Sequence, residues 1–278
     1  MHGFIWLASY PKSGNTWLRA FLCSYFLRDG GTIELDRLPF GSFITQRELI
    51  DDWIGFESSD WPDQEIDLYR PAIHLRLAEK LPELSFCKTH ERFRENREGD
   101  SIFPTKATRA TILIVRDPRD VVCSFAHHLR RPIQEVIDIL ADEEYILDHA
   151  PLSAFSKIPE PLGSWSGHTL SWLDSPLDPY IIRYEDMASN PTATFENLLS
   201  FLGYTVDSAK LQKAIVATRF AQLAKQESES GYRGKNPNVK TFFRQGMQSA
   251  WKRHLTPLQE EQICERHAAM MHQLKYEF

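Results

Sequence analysis

Short apolar runs alternate with helix-like segments along this chain. Phe4–Ser9 is a run of mostly bulky apolar residues, which predicts a buried strand of a parallel sheet. Thr16–Leu27 carries apolar side chains at helical spacing, and a polar turn over residues 10–15 lies before it. The chain therefore opens as strand, loop and helix.

The same order recurs further along. Strands are predicted at Leu84–Cys87, Ala110–Val115 and Pro179–Arg183. Helices are predicted to begin at Asp117–Pro118 and at Asn190–Pro191, the second running through Phe201 and closing at Gly203. This alternation predicts a single α/β domain over residues 1–278, with a mainly parallel sheet flanked by helices on both faces. Polar segments follow the strands, where such sheets bind ligands.

Three stretches depart from that pattern. Residues 31–80 and 130–165 are rich in acidic, proline and aromatic residues, and we interpret them as helical and loop insertions that form a substrate pocket. Residues 227–241 are polar and rich in turn formers, which predicts a mobile surface loop.

Composition narrows the class of protein. The 278 residues carry a formal charge of −6, so a broad nucleic-acid surface is not expected. The longest apolar stretches are far shorter than the ~20 residues of a membrane-spanning helix, and no signal peptide is apparent. The four cysteines show no paired spacing, so neither a metal site nor a disulfide framework is expected. We expect a cytoplasmic protein that binds neither membranes nor nucleic acid.

The segment Tyr10–Trp17 has the features of an anion site. It links a buried strand to a helix N-terminus, where backbone N–H groups and the helix dipole favour negative charge. Lys12 adds a charge, and Gly14 allows a close approach of the backbone. A capped turn with a solvated lysine is the simpler alternative. The pattern is not that of nucleoside triphosphatases, because the lysine precedes the glycine by two residues.

Three further segments are weak when taken singly. Arg116 follows the strand at 110–115, and Ser124 lies two helical turns beyond it, but both also fit surface roles. Lys88-Thr89-His90 follows a short strand, where a histidine can act as a general base or be structural. Arg244-Gln245-Gly246 could clamp a phosphate from a turn near the C-terminus.

In this order, the four segments resemble those of the cytosolic-type sulfotransferases, which use 3′-phosphoadenosine 5′-phosphosulfate (PAPS) and release 3′-phosphoadenosine 5′-phosphate (PAP). The likeness spans residues 4 to about 265 and includes Gly163–Trp165, Arg183–Met187 and Thr218–Phe220. The resemblance implies transfer of a sulfuryl group to a hydroxyl or amine of a small-molecule acceptor, without a metal.

The resemblance also implies residue roles. Lys12 would neutralise the leaving phosphate, Lys88 would stabilise the sulfuryl group in transit, and His90 would be the general base. The remaining residues are implied to bind the nucleotide: Ser13, Gly14, Asn15, Thr16, Trp17, Arg116, Ser124, Tyr184, Thr218, Phe220, Arg244, Gln245 and Gly246. Among these, Trp17 and Tyr184 are implied at the adenine with Phe220 nearby. Implied at the 3′-phosphate are Arg116, Ser124, Arg244 and Gly246.

The chain departs from the family pattern at several positions. Gln245 replaces a lysine, so one cation of the 3′-phosphate site is missing, and the usual glycine between Gly246 and Trp251 is absent. Pro257 replaces a valine in the C-terminal dimerisation pattern and removes a backbone donor, which puts a homodimer in doubt. Glu91 directly follows His90 and is an alternative base.

Two other functions compete with this one. A metal-dependent small-molecule kinase is disfavoured by the loop pattern and by Arg116 at the strand end, where a magnesium-binding aspartate is expected. A non-catalytic nucleotide-binding module would bind the same nucleotide without transfer. The acceptor itself is not readable from the sequence.

Overall fold

A computed structural model describes residues 2–147, 157–232, 234–235, 239–244 and 246–278. The strands among them are β1 (Phe4–Ser9), β2 (Phe86–Thr89), β3 (Thr108–Val115), β4 (Ile146–Leu147), β5 (Glu160–Pro161) and β6 (Tyr180–Arg183). The helices are α1 (Asn15–Leu27), α2 (Arg47–Ile54), α3 (Asp63–Lys80), α4 (Pro118–Leu129), α5 (Ile133–Ala141), α6 (Trp165–Leu173), α7 (Tyr184–Ser189), α8 (Pro191–Phe201), α9 (Ser208–Ala217), α10 (Phe220–Ser230) and α11 (Pro257–Gln273).

A sheet with the strand order β2-β1-β3-β6 forms the centre of the fold. Strand β1 pairs with β2 in parallel, in a register that places Ile5 beside Phe86 and Ala8 beside Thr89. Every residue of β1 is buried, as expected for a parallel strand covered on both faces. The predicted α/β class, with a parallel sheet flanked by helices, is confirmed.

The predicted element boundaries differ from the observed ones mainly at the second strand. The sequence predicts it at Leu84–Cys87, whereas β2 runs over Phe86–Thr89. Of the segment Lys88-Thr89-His90, which was expected to follow the strand, only His90 lies beyond its end. The shift has a simple cause, because Thr89 is buried and continues the pairing with β1. Helix α4 begins as predicted, with Pro118 in its first turn and the Asp117 side chain accepting from Arg119 N.

Contacts along the chain divide it into two compact units. The first unit comprises Met1–Tyr10, Phe40–Leu113 and Asp142–Tyr180. Its core includes a cluster of four isoleucines, at positions 50, 66, 73 and 158. Trp6 of β1 stacks on Phe4 and donates its Nε1–H to Thr108 Oγ1 at 2.9 Å, so the polar atom of this buried indole is satisfied.

The second unit comprises Pro11–Pro39, Ile114–Ala141 and Ile181–Phe278. Helix α1 packs in its core through Phe21, whose ring stacks on Phe195 of α8 with 3.8 Å between centroids. Helix α11 begins with a capping box, in which the side chains of Thr256 and Gln259 each bind the backbone of the other residue.

The predicted insertions are largely helical. Residues 31–80 contain α2 and α3, and residues 130–165 contain α5 and the two-residue pair β4–β5. Residues 148–156 lie outside the described part of the chain. The predicted loop at 227–241 begins inside α10, which ends at Ser230, so its first four residues, 227–230, are helical rather than loop. The buried Glu227 on this helix explains the difference, because its carboxylate is bonded to the chain that follows. Within the described residues, no helix has the length and apolarity needed to cross a membrane.

The Phe21–Phe195 stack provides a test of the packing in the second unit. Both rings are almost fully buried, so Phe21→Ala should lower the free energy of unfolding by about 3–5 kcal/mol in chemical denaturation. Leu258→Ala is the control, since this side chain is 63% exposed and its loss should change stability by less than ~0.5 kcal/mol. Equal stability of the two variants would contradict this packing.

Candidate active site

The loop between β1 and α1 has the backbone shape of an anion cradle. Lys12 and Gly14 both adopt left-handed conformations, with φ of 70° and 105°, and α1 begins directly afterwards. Ser13 between them is 1% exposed, and its hydroxyl has no hydrogen-bond partner in the described part of the chain. A buried hydroxyl without a partner is costly, so it marks a position where a ligand is expected to accept.

Gly14 lies against Tyr184, the first residue of α7. A Cβ atom at position 14 would come within 2.7 Å of the Tyr184 ring. The positive φ and this close approach both require glycine. The sequence could assign Gly14 to a turn, but the neighbouring tyrosine comes from a segment about 170 residues further along.

Arg116, at the end of β3, holds this loop in place. Its Nη1–H donates to the Lys12 carbonyl at 3.1 Å, and its guanidinium lies 4.0 Å from the centre of the Tyr184 ring. Trp17 of α1 meets the same ring edge-on at 5.6 Å. The structure thus brings together Lys12, Trp17, Arg116 and Tyr184, four of the predicted nucleotide-binding residues.

A narrow cavity of the second unit joins other predicted residues. It is lined by Lys12, Ser124, His127, His128, Lys235, Val239, Thr241, Phe242 and Arg244. The Lys12 ammonium lies 3.7 Å from the centre of the Phe242 ring, a cation–π contact. Ser124 and Arg244, two of the predicted 3′-phosphate residues, therefore share one cavity with Lys12.

The other predicted nucleotide-binding residues differ in their positions and contacts. Asn15 and Thr16 begin α1, and Phe220 begins α10. The Gly246 backbone has a φ of 59° and passes so close to the Phe220 ring that a side chain would collide with it. Thr218 is fully buried and donates its hydroxyl to the Ala214 carbonyl at 2.7 Å, so this proton is already used. Gln245 lies outside the described residues.

Two buried carboxylates that the sequence did not single out anchor the second unit's loops. Asp120 of α4 accepts from the backbone N–H groups of Ser249 and Trp251 at 2.9 and 3.0 Å, and lies 3.8 Å from Arg116. Glu185 of α7 accepts from Asp117 N at 3.0 Å. Their backbone donors are distant in the chain, so no local sequence signal identifies this role.

In the first unit, His90 follows β2 and has a defined tautomer. Its Nδ1 lies 2.7 Å from the Ser9 carbonyl oxygen. Because a carbonyl only accepts, Nδ1 carries the proton and Nε2 presents a lone pair, as a general base requires. Burial, together with the Lys88 ammonium, lowers the pKa of His90 well below its usual value, whereas the Glu160 carboxylate acts in the opposite direction.

Two buried side chains fix the backbone of His90. Glu160 of β5 accepts from His90 N at 2.8 Å, and His168 of α6 donates from Nε2 to the His90 carbonyl at 3.1 Å. Burial lowers the pKa of His168 to about 4, so this histidine is neutral. Sequence reasoning missed both residues, since neither lies in a motif that follows a strand.

Glu91, the alternative base, is committed to a buried ion network. Its carboxylate is 0% exposed and accepts two bonds from Arg70, at 3.0 and 2.7 Å, and a third from Arg94 Nε at 2.7 Å. Asp67 bonds the same two arginines. With its oxygens occupied and no exposure, this carboxylate is placed to hold structure rather than to receive a substrate proton.

The described residues contain no group of three or more His, Cys, Asp or Glu side chains arranged to hold a metal ion. The charged groups that could meet an anionic ligand in the second unit are instead fixed cations, above all Lys12, Arg116 and Arg244.

Comparison with known proteins identifies the family. Residues 3–275 match the family described as "Sulfotransferase domain", so the chain belongs to this family and the predicted sulfotransferase class is confirmed. Cytosolic sulfotransferase 1 of Arabidopsis thaliana is 26% identical, over 92% of this chain and 75% of its own length. Sulfotransferase 2B1 of Homo sapiens is also 26% identical, over 92% of this chain and 63% of its own length.

Solved structures agree on the fold. A mouse sulfotransferase, crystallised in complex with PAP, superposes with a TM-score of 0.60 at 20% identity, covering 96% of this chain and 84% of that chain. A retinol dehydratase in complex with retinol and PAP gives 0.60 at 15% identity, covering 96% and 81%. At these identities the likeness supports the predicted fold alone.

The ion network around Glu91 predicts a stability effect that separates it from a base. Glu91→Gln should lower the free energy of unfolding by about 3–5 kcal/mol, because it leaves the buried Arg70 and its neighbour Arg94 with one carboxylate, Asp67, instead of two. The control is Glu65→Gln, which breaks an equally close but partly exposed pair with Arg97 and should cost at most about 1 kcal/mol. A Glu91→Gln protein of wild-type stability without turnover would instead restore Glu91 as the base.

Proposed function

We propose that this protein transfers a sulfuryl group from PAPS to a hydroxyl or amine of a small-molecule acceptor. The observation that carries the proposal is the loop at Lys12–Gly14, where a buried serine hydroxyl that bonds to none of the described residues stands beside a lysine at a helix N-terminus. This donor set fits a phosphate or sulfate group, because both offer several acceptor oxygens and negative charge.

The loop residues and Lys12 have distinct roles in this proposal. Ser13, Gly14, Asn15 and Thr16 bind the 5′-phosphate through backbone and hydroxyl donors at the start of α1. Lys12 places its ammonium where charge develops on the leaving phosphate, and Arg116 fixes the Lys12 backbone through its carbonyl. Such fixed charges stabilise a loose transition state without reorganising during the reaction.

The nucleoside end is held by aromatic and cationic side chains. Trp17 stacks on the adenine, with Tyr184 and Phe220 as further aromatic contacts. Arg116, Ser124, Arg244 and the Gly246 backbone bind the 3′-phosphate. Supporting this assignment, the Arg116 guanidinium already lies on the Tyr184 ring, and Ser124 and Arg244 line one cavity.

His90 removes the acceptor proton. PAPS supplies the sulfuryl group, so a new bond forms from the acceptor oxygen or nitrogen to sulfur while the bond from sulfur to the phosphate oxygen breaks. His90 Nε2 takes the proton, since Nδ1–H is engaged with the Ser9 carbonyl. Lys88 stabilises the sulfuryl group in transit. The transfer needs no metal in this scheme, because fixed cations carry the charge stabilisation.

We also propose a cytoplasmic location. None of the four cysteines forms a disulfide, which agrees with a reducing compartment.

Nucleotide binding tests the cofactor assignment. In buffer containing EDTA, calorimetric titration should show clearly tighter binding of PAP than of adenosine 5′-phosphate. Arg244→Ala should remove about tenfold or more of the PAP affinity, the effect of one charge-assisted hydrogen bond, and leave adenosine 5′-phosphate unchanged. Arg253→Ala is the matched control, because this nearby arginine is exposed and outside the cavity. Equal binding of the two nucleotides by the wild-type protein would contradict the proposal and move a kinase or a different binding module ahead.

The pH profile tests the base. Because the pKa of His90 is lowered, its lone pair is available at neutral pH, and protonation removes it only in acid. With an alcohol acceptor, kcat/KM should stay constant from pH 8 to below the usual histidine pKa of ~6.5, then fall at lower pH. His90→Ala should abolish most turnover and the acid limb with it. A half-loss of kcat/KM at or above pH ~6.5 would exclude His90 in this environment.

A further inference from the structure

The cavity lined by Lys12 and Arg244 has a further cationic side chain in its wall, and no family motif predicts this side chain. Lys235 lines it together with Ser124, His127 and His128. Lys235 lies in the stretch predicted from the sequence as a surface loop. Its side chain is nonetheless only 25% exposed, so the structure holds its ammonium against the protein rather than in bulk solvent.

Two contacts of the second unit hold the Lys235 ammonium. Nζ donates to the Lys240 carbonyl at 2.8 Å and lies 3.9 Å from Glu227 Oε1. The second separation is too long for a hydrogen bond. An ammonium has three N–H donors, and among the described residues only the Lys240 carbonyl accepts from this one.

Glu227 fixes the chain around this cation. Its carboxylate is buried and accepts from the backbone N–H groups of Phe242 and Phe243, at 2.6 and 2.8 Å. The same segment continues to Arg244 and carries the Phe242 ring that lies over Lys12. Glu227 therefore fixes the path of the chain that brings Arg244 to the cavity, and its carboxylate lies within ion-pair distance of Lys235.

The charges around the cavity favour the binding of an anion. Three cationic side chains line it, those of Lys12, Lys235 and Arg244, and its described lining contains no carboxylate. Like charges gathered around a small space repel each other, and a bound polyanion removes that repulsion. The carboxylate behind Lys235 belongs to Glu227 and is already shared with two backbone donors.

We propose that Lys235 binds the 3′-phosphate of the nucleotide and supplies the cation that Gln245 lacks. This inference rests on the proposed function. Ser124 and Arg244, assigned to the same phosphate, share the cavity with Lys235, and the N–H donors of its ammonium match the oxygens of a phosphate. The chain thus places a third cation at the 3′-phosphate, beside Arg116 and Arg244, by drawing it from position 235 rather than position 245.

Calorimetric titration of a small set of variants tests this inference. Lys235→Met removes the charge and keeps most of the side chain, so it should weaken PAP binding about tenfold and leave adenosine 5′-phosphate binding unchanged. Lys235→Arg keeps the charge and should restore PAP affinity to within about threefold of wild type. The control is Lys225→Met on α10, whose exposed ammonium pairs with Glu229 outside the cavity and should not matter.

Each other outcome overturns the inference. Wild-type PAP affinity in Lys235→Met would show that Lys235 does not bind the nucleotide. Equal losses for PAP and adenosine 5′-phosphate would place its effect on the fold or on the 5′ end. A Lys235→Arg protein as weak as Lys235→Met would show that the charge is not what binds. If the wild-type protein itself does not prefer PAP, the proposed function fails first, and that result is distinct from the other three.

Discussion

The hydrogen bond from Arg116 to the Lys12 carbonyl is the contact on which the candidate nucleotide site depends. A loop that points its donors at an anion cannot also bond them to itself, so its shape must be imposed from outside. Arg116 does this from the end of β3 while its guanidinium lies on the Tyr184 ring. Tyr184 in turn closes against Gly14, at a backbone conformation that glycine adopts without strain.

Buried carboxylates likewise fix backbone segments in each of the two units. Asp120, Glu185 and Glu227 accept from backbone N–H groups of distant segments in the second unit, and Glu160 does so for His90 in the first. A buried carboxylate that accepts from a backbone N–H group fixes the segment that donates to it. Two of the cations assigned to the ligand, Arg116 and Lys235, thus lie beside such buried acids, Asp120 and Glu227.

The sequence predicted the features that neighbouring residues encode, and it missed those that depend on contacts between distant residues. The apolar run of β1, the proline that opens α4 and the Lys12–Gly14 turn are contiguous, and each was located from its own residues. The end of β2 was misplaced because Thr89 is polar, although its pairing with Ala8 buries it. Lys235 shares a cavity with Lys12, Phe242 lies over Lys12, and Glu160 bonds His90. These pairs are tens to hundreds of residues apart in the chain, and no periodicity or motif encodes them. Glu91 directly follows His90, so the sequence offers it as an alternative base. Its place in a buried ion network becomes visible only from the positions of Arg70 and Arg94.

Transfer of label from PAPS is the most direct measurement of the central claim, that fixed cations and a neutral histidine carry out sulfuryl transfer. The protein is incubated with PAPS labelled in the sulfuryl group and a panel of phenols, alcohols and amines, with EDTA present. The account predicts a labelled acceptor formed in step with PAP, unaffected by the chelator and lost in Lys12→Ala. Sulfuryl transfer by this site would be contradicted if labelled sulfate were released slowly and at the same rate with every acceptor, in the wild-type protein and in Lys12→Ala alike.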